Sequence, residues 1–314
     1  MTQTPRHTPV LLDEVVRLLA PKEGGRYLDG TVGLGGHANA ILQAASCELV
    51  GLDRDQEALG IAGQRLAPFG DRVHLVHAPY AAFQPVLAAL GWNALDGALL
   101  DIGVSSLQLD CENRGFSYRF DAPLDMRMDQ NADIPTAKDL VNTLDPLRLR
   151  DILARFGEEP KADAIVRRIV EERAKRPITT TGQLAALVGK SYPQEWLKTA
   201  RHHPATRTFQ ALRMAVNDEL GQLATFLSQI LDSLAVGGHL CILTFHSLED
   251  RLVKQTMQRW AKGCLCPPSL PTCQCGHTPE ARLLLKKPLT ASRAECTSNP
   301  RATSAKLRAI EKLA

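Results

Sequence analysis

The feature that most constrains this fold is a cluster of glycines in R-Y-L-D-G-T-V-G-L-G-G-H, residues 26–37. A short apolar strand ends at Asp29, four glycines follow within seven residues, and a helical pattern comes after them. A strand, a glycine turn and a helix open a nucleotide-binding α/β domain, because the backbone there approaches its ligand more closely than a Cβ would allow. Amides at the helix start favour an anionic group. The segment therefore predicts a ligand-binding loop.

The glycines alone fit two classes of ligand. Gly33, Gly35 and Ala38 match the relaxed dinucleotide fingerprint G-x-G-x-x-G/A, with Asp53 spaced to hold a ribose. They equally match the D-x-x-x-G-x-G loop of methyltransferases that use S-adenosylmethionine, where Asp53 would hold the adenosine ribose. A glycine turn without any ligand is the third interpretation.

Strands and helices alternate regularly after the loop. Apolar and amphipathic runs predict them at residues 49–52, 56–66, 73–76, 83–90 and 94–100. This alternation predicts an α/β fold with a parallel, doubly wound, Rossmann-like sheet, whose ligands bind beyond the carboxyl ends of the strands. Four side chains are placed at those ends, namely Asp29, Asp53, Tyr80 and Asp101. Their recurrence favours a ligand pocket.

The alternation breaks between residues 109 and 213, where helical periods predominate. It resumes with an amphipathic helix at 216–234 and a strand at 239–245. We therefore predict an α/β domain of residues 1–108 and 214–314, with a helical domain of residues 109–213 inserted after the fourth strand. Two consecutive domains are the alternative, but the last strand would then lack partners.

Charge is uneven along a chain whose formal net charge is only +3. Residues 166–213 carry ten Lys or Arg against three Glu, and residues 282–314 carry eight basic residues against two acidic ones. Such clusters are expected in a protein that binds a phosphate backbone, although a solvated helix face gives the same pattern.

No apolar run reaches the about 20 residues needed to cross a membrane. With no signal-peptide pattern at its start, the chain is predicted to be cytoplasmic, with reduced thiols.

Polar segments follow the fourth and fifth predicted strands, namely D-I-G-V-S-S-L-Q-L-D from Asp101 and T-F-H-S-L-E-D-R-L-V-K around His246. Carboxylates, carbonyls and hydroxyls at these points suit an amine substrate. Acceptors that hydrogen-bond its N–H groups orient the nitrogen lone pair and take up developing positive charge. A helix cap, with Ser247 at the N-cap, is the alternative for the second segment.

Four cysteines lie within twelve residues as C-x-C-x6-C-x-C, at positions Cys264, Cys266, Cys273 and Cys275. Four thiols so close together are typical of a zinc site, but the spacing is tighter than the usual C-x2-C. Structural zinc, a disulfide and reduced thiols all remain open from the sequence.

Nine segments in order along nearly the whole chain form a recognisable set. They are H-T-P-V-L-L-D-E, D-G-T-V-G-L-G-G-H, G-L-D-R-D, L-L-D-I-G-V-S-S-L-Q-L-D, R-G-F-S-Y-R, P-L-D-M-R-M-D, H-P-A-T-R-T-F-Q-A-L-R, F-H-S-L-E-D-R-L-V-K and N-P-R-A-T-S-A-K-L-R. In these segments the chain closely resembles the MraW/RsmH family, bacterial methyltransferases that use S-adenosylmethionine to methylate cytosine N4 in 16S ribosomal RNA.

The resemblance implies a class I methyltransferase sheet with an inserted helical domain, and S-adenosylmethionine as methyl donor. Residues matching the family's donor site are Gly35, Gly36, His37, Asp53, Tyr80, Asp101 and Gln108, to which the loop pattern adds Gly33. Candidates for orienting the amine are Asp101, Ser105, Asp110 and His246.

The implied target is a cytosine in the decoding centre of 16S ribosomal RNA, within assembled or nearly assembled small subunits. The basic segments would then bind flanking phosphates. We further hypothesise that Phe116, Tyr118 and Phe120 help to hold the base. Two alternatives remain: an RNA-binding assembly factor that has lost turnover, and a nicotinamide-dependent oxidoreductase. The intact glycine loop argues against the first, and the absence of further hydride-site residues against the second.

Overall fold

The computed structural model describes residues 8–314 with gaps at 106–107, 110, 201–202, 265, 268–271 and 273. The chain divides into two compact units. Met1–Gly103 and Gly221–Ala314 form the α/β unit, and Val104–Leu220 form the helical unit. The limits predicted for the insertion, residues 109 and 213, lie a few residues inside those of the helical unit.

The strands of the α/β unit are β1 (Arg26–Asp29), β2 (Glu48–Asp53), β3 (Val73–His77), β4 (Leu95–Asp101), β5 (Leu234–Thr244), β6 (Ala281–Leu283) and β7 (Lys306–Lys312). The helices, in chain order, are α1 (Leu12–Leu19), α2 (Gly36–Ala44), α3 (Gln56–Leu66), α4 (Phe83–Ala89), α5 (Ala137–Thr143), α6 (Pro146–Gly157), α7 (Ala162–Arg173), α8 (Thr181–Gly189), α9 (Gln194–Thr199), α10 (Ala205–Asn217), α11 (Glu219–Ser233), α12 (Ser247–Trp260) and α13 (Arg293–Ser298). None of the described helices is both long and apolar enough to span a membrane.

The strands form one sheet in the order β3-β2-β1-β4-β5-β7-β6. The first five are parallel, and the order reverses between β1 and β4, so the doubly wound arrangement is confirmed. The sheet is mixed rather than wholly parallel, because β7 pairs antiparallel with both β5 and β6. Neither β6 nor β7 was predicted.

Apolar layers cover both faces of the sheet. Along β4, Ala98 and Leu100 join one buried cluster and Leu99 joins the other, as alternation of side chains across a strand requires. Such continuous apolar strands are typical of a parallel sheet that is covered on both faces. The polar ends of the strands are consequently the places where this unit can bind a ligand.

The helical unit has an apolar core of its own, built around residues such as Leu149, Ile165 and Leu184. Its helices begin at well-formed caps. Thr136 and Thr180 each form a capping box with the residue three positions later, which satisfies amides that a helix start leaves unpaired.

One predicted helix boundary is wrong. The helix expected at residues 216–234 begins only at Glu219, because Asp218 adopts a left-handed conformation with φ of 48° and ends α10. The break separates α10 from α11, which carries the chain back into the α/β unit. The strand expected at residues 239–245 also begins earlier, at Leu234, so that Gly237, with φ of 77°, and Gly238 lie inside β5.

Candidate functional site

The glycine loop is fastened to the end of β2 by the Asp53 carboxylate. The Gly33 amide donates to Oδ2 at 2.8 Å, and the Asp55 amide donates to Oδ1 at 2.9 Å. The backbone of Arg54 also hydrogen-bonds this carboxylate, so about one of its four acceptor sites remains for a ligand hydroxyl group. Asp53 therefore shapes the loop and keeps some acceptor capacity.

Glycine is required at two positions of the loop, for a different structural reason at each. Gly35 is the N-cap of α2 and has φ of 76°, a conformation that favours glycine. A Cβ at Gly36 would overlap Cγ of Pro9, in the segment before α1. The close approach at Gly36 is thus to the protein's own N-terminal segment.

Three carboxyl groups end three neighbouring strands: Asp29 ends β1, Asp53 ends β2 and Asp101 ends β4. Burial, with repulsion from nearby carboxylates, raises the pKa of Asp29 to about 8, of Asp101 to about 7 and of Asp53 to about 6. A buried carboxyl group is expensive to ionise without a donor or cation beside it. The cluster is therefore suited to a ligand that supplies hydroxyl groups or positive charge.

Asp101 has the most open acceptor of the three. Among the described residues its buried Oδ1 has no hydrogen-bond partner, although the side chain as a whole is 21% exposed. Its backbone amide donates to Oγ1 of Thr31 at 2.6 Å, which fixes the strand end against the loop. An unpaired buried oxygen costs free energy, so its presence at a strand end points to an incoming donor.

His37, at the start of α2, is buried and neutral. Its Nε2 donates to the carbonyl of Val10 at 3.0 Å, and its Nδ1 lies 3.6 Å from Oδ2 of Asp101. Burial lowers the pKa of His37 to about 4. The ring therefore adds no positive charge that would compete with a cationic ligand near Asp101.

Tyr80 follows β3 and is 8% exposed. Its ring meets the ring of Phe226 from α11 edge-on, with centroids 5.7 Å apart, and Phe226 also packs on Phe83 from α4. The tyrosine ring is thus held in a fixed orientation by the aromatic core beneath it.

His246 is the N-cap of α12, so the prediction of Ser247 at that position is wrong. Nδ1 of His246 accepts from the Glu249 amide at 3.4 Å, and its Nε2 lies 2.9 Å from Glu249 Oε1. Glu249 is 1% exposed, and its Oε2 accepts from the Phe245 amide at 3.1 Å. His246 therefore caps the start of α12, a structural role that the sequence also allowed for this segment.

Glu249 is one of two residues near Asp101 that the sequence did not indicate. Its charge adds to the burial that raises the pKa of Asp101. The available signal was its position three residues after His246, the spacing of a capping pair. Thr31, which accepts from the Asp101 amide, was also missed.

The remaining predicted site residues belong to the helical unit. Ser105 and Gln108 bind each other: the Ser105 amide donates to Gln108 Oε1 at 3.1 Å, and the Gln108 amide donates to Ser105 Oγ at 3.2 Å. Asp110 lies outside the described residues. The pair Ser105–Gln108 stabilises its own short turn, which follows β4 directly along the chain.

A doubly wound sheet, a glycine loop at a helix start and carboxyl groups at the strand ends define an α/β enzyme that binds a nucleotide-type cofactor. Residues 4–313 match the MraW methylase family. The chain belongs to that family, whose members are methyltransferases that use S-adenosylmethionine.

Relatives match over nearly their whole length. A protein of Desulfovibrio desulfuricans is 59% identical over 100% of this chain and 96% of its own. A protein of Lawsonia intracellularis is 54% identical over 98% of this chain and 99% of its own length. Both are named "Ribosomal RNA small subunit methyltransferase H". A solved rRNA methylase from Streptococcus thermophilus is similar at 12% identity, covering 100% of this chain and 99% of its own, with a TM-score of 0.41.

The raised carboxyl pKa values predict how stability depends on pH. Asp29 ionises near its ordinary value of 3.8 when unfolded but at about 8 when folded. The folded state then holds more protons, so Asp29 makes the ligand-free protein less stable as pH rises from about 4 to about 8, by at most about 1.4 kcal/mol per pH unit. Above pH 6.5 His37 opposes this trend only weakly, since its unfolded form, with a pKa of 6.5, is then mostly neutral and its folded form is wholly neutral.

We expect Asp29→Asn to flatten the fall in urea-unfolding free energy between pH 6.5 and 8. Asparagine keeps the oxygen that accepts from the Thr31 amide at 3.1 Å. The matched control is Asp96→Asn, because the pKa of Asp96 is lowered despite its partial burial, chiefly by the hydrogen bond from Lys22, and it is ionised throughout this range. A wild-type profile that rises over these pH values would contradict the assignment.

Proposed function

We propose that this protein transfers the methyl group of S-adenosylmethionine to N4 of a cytosine in the decoding centre of 16S ribosomal RNA. The names of the relatives support the small-subunit substrate. The observation that carries the proposal is Oδ1 of Asp101, at the end of β4 beside the glycine loop, which has no hydrogen-bond partner among the residues that the structure describes. An acceptor placed there suits a substrate N–H group.

The donor would be held by residues of four strand ends. Gly33, Gly35, Gly36 and His37 would form the loop, Asp53 would bind the ribose hydroxyls, Tyr80 would lie against adenine, and Asp101 would close the pocket. Gln108, in the helical unit, stays a predicted donor-binding residue. The spare acceptor capacity of Asp53 and the fixed ring of Tyr80 fit these tasks. The carboxyl cluster fits a cofactor that carries a positive charge.

S-adenosylmethionine supplies an electrophilic methyl group when bound. The exocyclic amine of cytosine is a weak nucleophile, since its lone pair is delocalised into the ring. Oδ1 of Asp101 would accept one amine N–H, orient the lone pair and offset the positive charge that develops on nitrogen. The proton leaves easily once nitrogen is alkylated, so no strong base is needed.

Ser105, Asp110 and His246 remain weaker candidates for this task. Ser105 Oγ already accepts from the Gln108 amide, and His246 holds the start of α12. We therefore assign the main role to Asp101.

The helical unit offers exposed cations for RNA phosphates. Several of its arginines already bind protein groups: Arg173 donates to the Val141 carbonyl and Arg207 to that of Glu158. Lys190 and Lys198, at the end of α8 and in α9, are exposed. A base in folded RNA must leave its stack before its amine can react, and phosphate contacts would hold the strand during that step.

The three aromatic residues proposed to hold the base have different environments. Phe116 is 6% exposed and belongs to the core of the helical unit, so it is not available to a base. Tyr118 stacks on His203 at 4.3 Å and shares a hydrogen bond with Thr206. Phe120 is 38% exposed, and we retain it alone as the stacking candidate.

The proposal is tested by methyl transfer from labelled S-adenosylmethionine to small subunits from cells that lack this protein. We expect N4-methylcytidine at one decoding-centre position, identified by mass spectrometry of RNA fragments. Donor binding without transfer would favour the silent assembly factor. Transfer to another base or another atom would refute the N4 assignment while leaving the methyltransferase intact.

Replacing Lys190 and Lys198 with alanine is expected to weaken subunit binding and to reduce its salt dependence. Each phosphate contact contributes about 0.7–0.9 to the slope of log affinity against log salt, so the double variant should lose about 1.5 from that slope. Binding is measured by filter retention at several salt concentrations. Lys254→Ala, on an exposed position of α12, is the control that should keep the wild-type slope. An unchanged slope in the double variant would exclude these lysines from the RNA contact.

A further inference from the structure

We propose that the segment between α12 and β6 is a structural zinc site built on Cys264, Cys266 and Cys275. The Sγ atoms of these three residues all lie within 4.8 Å of one another. The methyltransferase site uses none of them, so this inference is independent of the proposed function.

The distances suit a tetrahedral thiolate site. Sγ of Cys275 lies 3.8 Å from Sγ of Cys264. A disulfide would require about 2.05 Å, so these two sulfurs are not covalently joined. Around a tetrahedral zinc ion with Zn–S bonds of about 2.3 Å, neighbouring sulfurs lie about 3.8 Å apart, because a tetrahedral edge is about 1.63 times the bond.

Backbone amides support the charged form of these thiols. The Cys266 amide donates to Sγ of Cys264, and the Gln274 amide donates to Sγ of Cys266, each at 3.4 Å. Hydrogen bonds to a thiolate favour it over the thiol, as is typical around a metal's ligands. Each thiol that binds the ion releases its proton to solvent.

In the described part of this segment, almost all side chains are exposed. The Glu280 amide donates to the Trp260 carbonyl at 2.8 Å, so the chain leaves and returns at one point. Of the described residues from 262 to 280, only Cys266 and His277 are even half-buried. The described residues of this loop form no apolar core, and a bound metal ion would stabilise a loop of this length in its place.

Three thiolates would fill three positions of a four-coordinate ion. Cys273 lies outside the described residues and is not part of this argument. Zinc is the expected ion because soft thiolate ligands in a tetrahedral arrangement favour it over harder divalent cations.

The first test is metal analysis of full-length protein, produced with zinc and freed of any affinity tag. We expect about one zinc per chain. The double variant Cys264→Ser, Cys275→Ser should lose it, whereas Cys296→Ser, a half-buried thiol elsewhere in the α/β unit, should retain it. A wild-type zinc content no higher than that of the double variant, even after reconstitution with zinc, would overturn the proposal.

Thiol titration separates the three sequence interpretations. In the zinc site, the clustered thiols react with a thiol reagent only after a chelator removes the ion. Thiols that react only after a reductant is added would indicate a disulfide. Thiols that react at once would indicate neither a bound ion nor a disulfide. Either result would refute the zinc site.

A spectroscopic and a structural readout complete the test. Cobalt added to the zinc-free protein should give thiolate charge-transfer bands and the intense visible bands of a tetrahedral ion, absent from the double variant. Chelation should accelerate proteolysis between residues 261 and 280. Far-ultraviolet circular dichroism should stay constant, since the apolar clusters of both units are formed by other residues. Wild-type protein without the cobalt bands would contradict the proposal.

Discussion

Asp101→Ala is expected to lower methyl transfer to small subunits by roughly 100-fold or more, the usual cost of removing a group that stabilises developing charge. The loss should appear in kcat at saturating donor, because the amine lone pair is no longer oriented. The same substitution removes a buried carboxyl oxygen that has no partner among the described residues. We therefore expect the ligand-free variant to be at least as stable as the wild type, which is the opposite of what a structural residue would show.

Asp101→Asn separates acceptor capacity from charge. Asparagine retains one acceptor oxygen but not the negative charge, so its activity should fall between the wild type and the alanine variant. Calorimetry with S-adenosylhomocysteine checks that the donor site still folds. An Asp101→Ala enzyme as fast as the wild type would remove Asp101 from the mechanism.

Phe226→Ala is expected to have the largest effect on stability. Phe226 is fully buried and packs on both Phe83 and Tyr80. Truncating a buried phenylalanine costs about 3–5 kcal/mol. At this chain length, with an unfolding entropy of about 2.1 cal/mol/K per residue, that loss should lower the melting temperature by roughly 5–8 °C. Because Tyr80 loses its edge contact, donor affinity should also fall.

The control for this substitution is Val236→Ala, since Val236 is 67% exposed in the same unit. A surface change of this kind should alter stability by no more than about 0.5 kcal/mol. The measurement is thermal melting with and without S-adenosylhomocysteine. If Phe226→Ala melts at the same temperature as the wild type, the aromatic cluster does not stabilise the sheet as described.

The sequence predicted the first five strands and the glycine loop because each is a local pattern. Apolar runs of strand length, the glycines of residues 30–36 and polar residues at strand ends are visible without any contact information. For the same reason Asp53 and Asp101 could be named in advance as strand-end residues, and the structure places them at the ends of β2 and β4, on either side of β1.

The sequence failed where a residue's role depends on a distant partner. β7 is a strand because it pairs with β5, about 70 residues earlier in the chain, and its own pattern is short and charged. For His246 the sequence left a site role and a helix cap open, and only the structure shows that its Nδ1 accepts from the Glu249 amide at the start of α12. Phe116 was grouped with Phe120 by spacing, but burial separates them.

The sequence by itself determined the class of fold, the position of the ligand loop and the family to which the chain belongs, since all three are recorded in short contiguous segments. The tertiary structure decided which carboxyl groups share one low-dielectric cluster, which oxygen there has no partner among the described residues, and which thiols lie close together. These properties depend on distances between residues far apart in the chain, and electrostatic energies change steeply with such distances.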